Sequence, residues 1–173
     1  RDPDQGILPE GLIIGAREPA MGLRGIPEME IIFEDLHIPA DMVLVPPQGL
    51  RHGFAGLMMA YNAQRVGAAM VALGIAQGAY ELALEYAQTR EQFGRPIAEF
   101  QGLQWMLVDM RIAIDAARLM IYKAATGTDG ETGFPDITDA ASAKIMAAEV
   151  AIKATNDALQ VFGAAGYSRN LPL

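Results

Sequence analysis

From about residue 50 onward, apolar residues recur three and four positions apart through long stretches of Ala, Leu, Met and Gln. This spacing is the periodicity of amphipathic α-helices, and it predicts three of them. The first spans residues 49–89, the second begins near Pro96, and the third follows a polar, Gly-rich loop with Asp136 or Thr138 as its N-cap. Short turns between long helices predict antiparallel neighbours in a helical bundle. The fold class is therefore mainly α.

The sequence before residue 50 has a different character. The segments GLIIGA and EMEIIFEDLHIPADMVLVPPQG contain short β-branched and aromatic runs bounded by Gly and Pro. They predict at least two strands, with a loop around Pro39. We therefore divide the chain into residues 1–49 and a helical domain of residues 50–173. Three helices leave a groove that a fourth would fill, and the chain opens and closes without evident terminal elements, so we expect an incomplete bundle.

Composition excludes several classes of function. The chain has 13 Lys and Arg against 21 Asp and Glu, a formal net charge of -8. This balance disfavours general electrostatic attraction to nucleic acid or to anionic lipid, so an anionic ligand would need local arginines. The sequence has no cysteine and only two histidines, which excludes disulfides and disfavours a protein metal site. No signal peptide or uninterrupted membrane-spanning run is evident, so we expect a cytoplasmic protein without membrane insertion.

The segment TREQFGRP supports two interpretations. In the structural one, Arg90 complements the dipole at a helix C-terminus, Gly94 permits a left-handed turn and Pro96 opens the next helix. In the functional one, the Arg90 guanidinium recognises a phosphate beside the apolar ring of Phe93. Position alone does not choose between them.

The segment QVFGAAGY also has two interpretations. Gly163 and Gly166 end the third helix, or they let a ligand approach the backbone with Gln160 as a donor. Elsewhere we expect structural roles. Glycines 67, 74 and 78 along the first helix predict close helix packing. Charged residues on the second helix are spaced to form ion pairs with one another: Asp109, Arg111, Asp115 and Arg118.

Polar residues interrupt the first helix in the segment YNAQRVG. Asn62, Gln64 and Arg65 would be costly if they were buried without partners. Either they bind a neighbouring element or they face a polar ligand in a cleft. The residues themselves leave both alternatives open.

In order along the chain, FEDLHIPADMVL, the long segment that begins AYNAQRVG, and NDALQVFGAAGYSRNLPL together resemble the C-terminal part of the acyl-CoA dehydrogenase superfamily. The most specific element is R-x-x-F-G-x-x-[IL]-x-x-x-Q, matched from Arg90 to Gln101, with Gln160-x-x-Gly163 downstream. This resemblance implies that residues 1–49 end a middle β-domain. It also implies that the rest forms three helices of a C-terminal four-helix bundle.

The resemblance also implies ligands for this chain. Residues at two places match positions that hold the adenosine diphosphate half of FAD, usually the FAD of a neighbouring subunit: Arg90, Gln92, Phe93 and Gln101, then Gln160, Gly163 and Ala164. Many relatives have glycine where Ala164 stands. Asn62 and Arg65 match positions that contact the CoA portion of an acyl-CoA substrate. The implied assembly is a homotetramer, a dimer of dimers with FAD sites shared between subunits.

Gln64 is the predicted catalytic position. Dehydrogenation of an acyl-CoA requires a carboxylate base, which some relatives place here, and a glutamine amide cannot take that role. The surrounding sequence resembles 3-sulfinopropanoyl-CoA desulfinases, a group that cleaves a C–S bond on the same scaffold with FAD and yields propanoyl-CoA and sulfite. Two alternatives remain open. One is an ordinary short-chain dehydrogenase that passes electrons to electron-transfer flavoprotein, and the other is a non-catalytic helical interaction domain.

Overall fold

The computed structural model describes residues 8–128, 130 and 132–171. They divide into two compact units, the first ending at Leu50 and the second beginning at Arg51. Each unit has its own internal packing and is described separately. The assignment of the first unit to the end of a middle β-domain stays a prediction.

The first unit is built on an antiparallel pair of strands. Strand β1 (Leu12–Arg17) pairs with β2 (Met29–Phe33), with Leu12 opposite Phe33 and Ile14 opposite Ile31. The register becomes irregular between Ile14 and Arg17. The prediction of at least two strands in this part of the chain is therefore confirmed. Within the predicted loop around Pro39, residues Ala40–Met42 form a single 3-10 turn.

The second unit contains three long helices, which confirms the predicted mainly α fold. Helix α1 is Gly53–Thr89, α2 is Gln101–Thr126 and α3 is Ile137–Phe162. Between α1 and α2, two short strands form a hairpin: β3 (Glu91–Gln92) and β4 (Arg95–Pro96).

Helices α1 and α2 begin later than predicted, whereas the predicted N-cap of α3 is present. Residues Leu50–His52 form a 3-10 turn, so α1 begins after the predicted residue 49. A second 3-10 turn, Ile97–Glu99, delays the start of α2 beyond Pro96. The predicted cap of α3 by Asp136 is confirmed, because its Oδ1 accepts hydrogen bonds from the N–H groups of Thr138 and Asp139 at 2.8 and 3.0 Å.

The predicted antiparallel arrangement holds for neighbours along the chain, but the main packing contact lies between helices that run in the same direction. Asn62, early in α1, contacts Pro135 just before α3, and Tyr86, late in α1, stacks on Phe162 at the end of α3. Helices α1 and α3 are therefore parallel. Buried alanines from α1 and α3 bring them close together: Ala69, Ala76, Ala83 and Ala87 of α1, with Ala143, Ala147, Ala154 and Ala158 of α3.

Within the part of the chain that the structure describes, the predicted packing role of three α1 glycines is not found. A Cβ atom built at Gly67, Gly74 or Gly78 would meet no other atom within 4 Å. Close approach of the helices depends instead on the alanine methyl groups, whose positions on α1 lie on a different face from these glycines.

Polar contacts link the helices at the surface, as predicted for α2. Asp115 pairs with Arg111 at 2.7 Å and with Arg118 at 3.9 Å, while Arg118 Nη2 also donates to Gln77 Oε1 of α1 at 2.9 Å. Asp109 forms no ion pair within the part of the chain described. Lys123 of α2 pairs with Asp139 of α3 at 2.7 Å, and this hydrogen bond raises the pKa of Lys123.

Helix α1 with its preceding turn, Leu50–Thr89, is long and apolar enough to cross a membrane by length and composition alone. This length of apolar helix was not predicted from the sequence, because each polar residue was counted as an interruption. In the helical unit the alanine face of α1 packs against α3, and 28% of the most apolar 18-residue window of this helix is buried.

Candidate functional site

The polar residues early in α1 occupy three different environments. Asn62 is 5% exposed and is the buried polar side chain of the described core, Arg65 is half-buried, and Gln64 is exposed. Asn62 Oδ1 accepts a hydrogen bond of 2.6 Å from Arg65 Nη1, and Asn62 Nδ2 donates one of 3.4 Å to the carbonyl oxygen of Pro135. The acceptor oxygen and the donor nitrogen of this amide are therefore both hydrogen-bonded within the protein.

These contacts bear on the two alternatives left open for the YNAQRVG segment. Asn62 pairs structurally, within α1 and across to the residue before the α3 cap. Arg65 forms no ion pair among residues 8–128, 130 and 132–171, so its positive charge has no carboxylate partner there. The exposed amide of Gln64 presents two N–H donors and one carbonyl acceptor to solvent. We name Asn62, Gln64 and Arg65 the α1 cluster.

A second set of predicted site residues gathers at the opposite end of α1. The backbone of Arg90 ends the helix by donating to the Tyr86 carbonyl, and the hairpin follows immediately. Phe93 and Gly94 form its two-residue turn with φ values of +55° and +79°, the type I′ geometry. Gly94 thus has the predicted left-handed conformation. The side chain of Phe93 is 93% exposed, which is unusual for a phenylalanine in a strained backbone conformation.

Aromatic contacts support the base of this hairpin. Phe93 meets Phe100 edge to face with centroids 6.1 Å apart, and the Arg95 guanidinium lies 4.2 Å from the centre of the Phe100 ring. The Ile97 N–H donates to the Arg90 carbonyl at 2.8 Å, which closes the hairpin. Gln101, another predicted site residue, is the first residue of α2 and is exposed. Sequence reasoning missed Phe100, which no spacing pattern singled out.

The end of α3 lies beside this hairpin because of the stacked rings of Tyr86 and Phe162. Gln160 and Ala164 are exposed, and Gly163 ends α3 with a φ of +58°. The predicted helix end at Gly163 is confirmed. We name the hairpin residues Arg90, Gln92 and Phe93, together with Gln101, Gln160, Gly163 and Ala164, the hairpin-end cluster.

Gly166 is held by a close backbone contact. A Cβ atom there would lie 2.6 Å from the Leu159 carbonyl oxygen and 3.2 Å from Phe162 Cβ. The chain therefore folds back tightly against the last turn of α3 within the 3-10 segment Gly163–Tyr167. At Ala164 a methyl group is accommodated at an exposed position. Its effect on backbone approach by a ligand stays a prediction.

The two clusters are far apart within one chain. Arg65 and Thr89 are joined by continuous helix, and a rise of 1.5 Å per residue separates them by about 36 Å. The parallel direction of α1 and α3 places Pro135 near the first cluster and Gln160 near the second. The structure therefore keeps the two clusters apart. Within the first cluster a hydrogen bond joins Asn62 to Arg65, whereas Gln64 lies on an exposed part of the helix.

Neither cluster is a metal site in the described part of the chain, where no group of three or more His, Asp or Glu residues could hold an ion. A hollow of about 300 Å³ between α1 and α2 is lined mainly by apolar residues such as Leu84, Val108 and Ile112. It contains no residue of either cluster. The chemistry available is therefore hydrogen bonding by amides, charge from Arg65 and Arg90, and an exposed aromatic surface.

Comparison with known proteins finds close relatives. The chain is 65% identical to a 3-sulfinopropanoyl-CoA desulfinase of Paraburkholderia xenovorans over 158 residues, which are 91% of this chain and 40% of that protein. It is 41% identical to a short-chain-specific acyl-CoA dehydrogenase of Clostridium acetobutylicum over 95% of this chain and 42% of the relative. The chain thus spans about 40% of the length of these relatives.

A solved structure shows the same fold. The butyryl-CoA dehydrogenase of Megasphaera elsdenii superposes with a TM-score of 0.86 at 40% identity, over 94% of this chain and 41% of that one. Residues 51–173 match the family described as acyl-CoA dehydrogenase, C-terminal domain. The chain therefore belongs to the acyl-CoA dehydrogenase family.

Proposed function

We propose that the protein carrying this chain is an FAD-dependent enzyme that acts on short acyl-CoA thioesters, and that it is a 3-sulfinopropanoyl-CoA desulfinase. It would convert 3-sulfinopropanoyl-CoA and water to propanoyl-CoA and sulfite. The C–S bond breaks with its electron pair remaining on carbon, which takes up a proton, and the oxygen of water is added to sulfur. No net oxidation of the acyl group occurs.

The observation that carries this proposal is the exposed amide of Gln64 beside Arg65 on α1. An acyl-CoA dehydrogenase needs a carboxylate to remove the α-proton, and an amide cannot act as that base. An amide can orient a thioester carbonyl or a sulfinate by donating hydrogen bonds. The 65% identity to a desulfinase supports the same reaction.

The hairpin-end cluster fits the adenosine diphosphate half of FAD by the chemistry of its side chains. Arg90 supplies a cation with no ion-pair partner among the described residues, and Gln92, Gln101 and Gln160 supply exposed amides. Phe93 supplies an exposed ring for an aromatic base. When bound, FAD would supply the redox-active ring system of the active site.

The separation of the clusters supports a shared site. Arg65 and Arg90 lie at opposite ends of one helix, about 36 Å apart, so a compact site that uses both arginines takes them from two different chains. We therefore include in the proposal a cytoplasmic homotetramer, built as a dimer of dimers, in which each FAD contacts the hairpin end of a neighbouring subunit.

The second candidate is a short-chain acyl-CoA dehydrogenase that passes electrons to electron-transfer flavoprotein. It is favoured by the 41% identity to the Clostridium acetobutylicum dehydrogenase. It requires a catalytic carboxylate supplied from outside the α1 cluster, since Asn62, Gln64 and Arg65 include none.

The test uses the full-length flavoprotein under anaerobic conditions, mixed with 3-sulfinopropanoyl-CoA or with butanoyl-CoA. Desulfination releases sulfite and leaves the flavin oxidised.

Gln64→Glu should lower sulfite release by about a hundredfold or more, because it removes amide donors. Gln77→Glu, the same change further along α1, should leave the rate within about twofold. Lasting bleaching of the flavin by butanoyl-CoA, with no sulfite from the other substrate, would establish the dehydrogenase instead.

A further inference from the structure

The chain contains three lysines, Lys123 on α2 and Lys144 and Lys153 on α3. All three side chains are exposed, so access to solvent does not distinguish them. Their charge environments differ. Lys123 Nζ lies 2.7 Å from an oxygen of Asp139, and Lys153 pairs with Asp157. Each of these two ammonium groups therefore has a carboxylate partner.

Lys144 forms no ion pair within residues 8–128, 130 and 132–171. The local sequence explains this difference, because the neighbours of a side chain on a helix lie three and four positions away. Lys153 has Asp157 four positions later. Around Lys144 all four of these positions are alanine: Ala140, Ala141, Ala147 and Ala148. Its neighbours on α3 therefore offer methyl groups in place of a carboxylate.

An ion pair affects the reactivity of a lysine, because only the neutral amine has a lone pair with which to attack an electrophile. The hydrogen bond from Lys123 to Asp139, together with the charge of Asp139, raises the pKa of Lys123. The carboxylate thus stabilises the unreactive ammonium form and holds it in one orientation. No carboxylate of the described residues restrains Lys144 in this way. The small alanine side chains beside it also leave room for an approaching acyl group.

We propose that Lys144, which no described carboxylate neutralises, is an acylation site whose Nζ takes the acyl group of a short acyl-CoA thioester. The neutral amine attacks the thioester carbonyl carbon and the C–S bond breaks. An amide bond forms, and CoA leaves as its thiol with the proton that the amine loses. The reaction replaces an ammonium group by a neutral amide, so the chain loses one positive charge. Propanoyl-CoA, the product in the proposed function, is a thioester of this class.

The experiment incubates the full-length flavoprotein with propanoyl-CoA that carries an isotopically labelled propanoyl group, so that new modifications differ in mass from earlier ones. Peptide mass spectrometry gives the initial rate of labelling at each lysine. We expect Lys144 to be labelled about two- to fivefold faster than Lys123 and Lys153, which is the size of effect that an exposed ion pair produces. Because the thioester is added directly, the result does not depend on which reaction the enzyme catalyses.

Two variants change the carboxylate partner and leave the lysines in place. Asp157→Asn removes the partner of Lys153, whose labelling should become about two- to fivefold faster. Ala148→Asp gives Lys144 the spacing that Lys153 has with Asp157, so labelling of Lys144 should become slower by about the same factor. Lys123 is the internal control in both variants, since Asp139 is unchanged.

Salt provides a test without substitution. In about 1 M sodium chloride the exposed ion pairs are screened, so the labelling rates of the three wild-type lysines should converge. A preference for Lys144 that decreases in salt and follows the position of the carboxylate supports the proposal.

Three results would overturn the proposal. One is equal labelling of the three lysines at low salt, and another is a Lys144 that stays unlabelled. The third is a preference for Lys144 that neither salt nor the two variants alter, because the missing carboxylate would then not be its cause. All three leave the proposed function intact, since sulfite release is measured separately.

Discussion

The ring of Tyr86 in α1 stacks on the ring of Phe162 in α3, with centroids 4.3 Å apart and planes inclined by 27°. Tyr86 lies four residues before Arg90, and Phe162 lies between Gln160 and Gly163. This aromatic contact therefore joins the helix ends that carry the two stretches of the hairpin-end cluster, at the end of the alanine-lined interface between α1 and α3.

Replacement of Tyr86 by Leu should destabilise the protein by about 1–2 kcal/mol, because it removes the stacked ring and leaves part of its space unfilled. Thermal unfolding measures this change. Tyr122→Leu, on an exposed part of α2, is the matched control and should alter stability by less than about 0.5 kcal/mol. In the full-length protein, only the Tyr86 variant should also lose flavin on gel filtration. Equal stability of the two variants would contradict the structural role of the stack.

Gly166→Ala should destabilise the protein by about 1–3 kcal/mol, since its Cβ would clash with the Leu159 carbonyl oxygen, 2.6 Å away. Gly74→Ala should have the opposite effect and stabilise by about 0.5–1 kcal/mol, because its Cβ meets nothing within 4 Å and alanine is the better helix former. Denaturant unfolding of both variants checks the pair. Destabilisation by Gly74→Ala would instead support the close helix packing that the sequence predicted for Gly74.

Asp136→Ala should lower the free energy of unfolding by about 1 kcal/mol, because the N–H groups of Thr138 and Asp139 lose the carboxylate that accepts hydrogen bonds from them. Asp136→Ser keeps an N-cap oxygen and should recover most of that stability. Urea unfolding midpoints of the two variants provide the measurement. If the alanine and serine variants are equally stable, the cap makes no contribution to the fold.

Phe93 combines full exposure with a left-handed backbone, an arrangement that stability alone does not favour. Phe93→Asn suits the type I′ turn, so we expect a free energy of unfolding within about 0.5 kcal/mol of wild type or above it. The same variant of the full-length protein should bind FAD more weakly, as measured by the flavin that remains after dialysis. A loss of more than about 1 kcal/mol of stability with FAD binding unchanged would show that Phe93 stabilises the fold and does not bind FAD.

Much of the helical unit could be predicted because its signals are local. The cap at Asp136, the left-handed Gly94 and the pairs of Asp115 each depend on residues within one helix turn or one hairpin. The short 3-10 turns before α1 and α2 were not predicted, since apolar periodicity does not distinguish them from the first turn of an α-helix.

The long-range contacts could not be read from the sequence. Glycine and alanine both permit close helix packing, and only the rotation of α1 against α3 shows that alanines face the partner while Gly67 and Gly74 do not. The bond between Asn62 and Pro135 crosses 73 residues without a pattern that links them. Sequence reasoning marked Asn62 as unusual but left its partner open.

The location of the two clusters at opposite ends of α1 has a genetic consequence. If each active site takes its Arg65 end from one subunit and its hairpin end from another, Arg65→Ala and Arg90→Ala are inactive for different reasons. A hybrid containing one chain of each kind would then hold one site in which both contributing ends are intact. Two defective alleles expressed together would restore activity that neither provides alone.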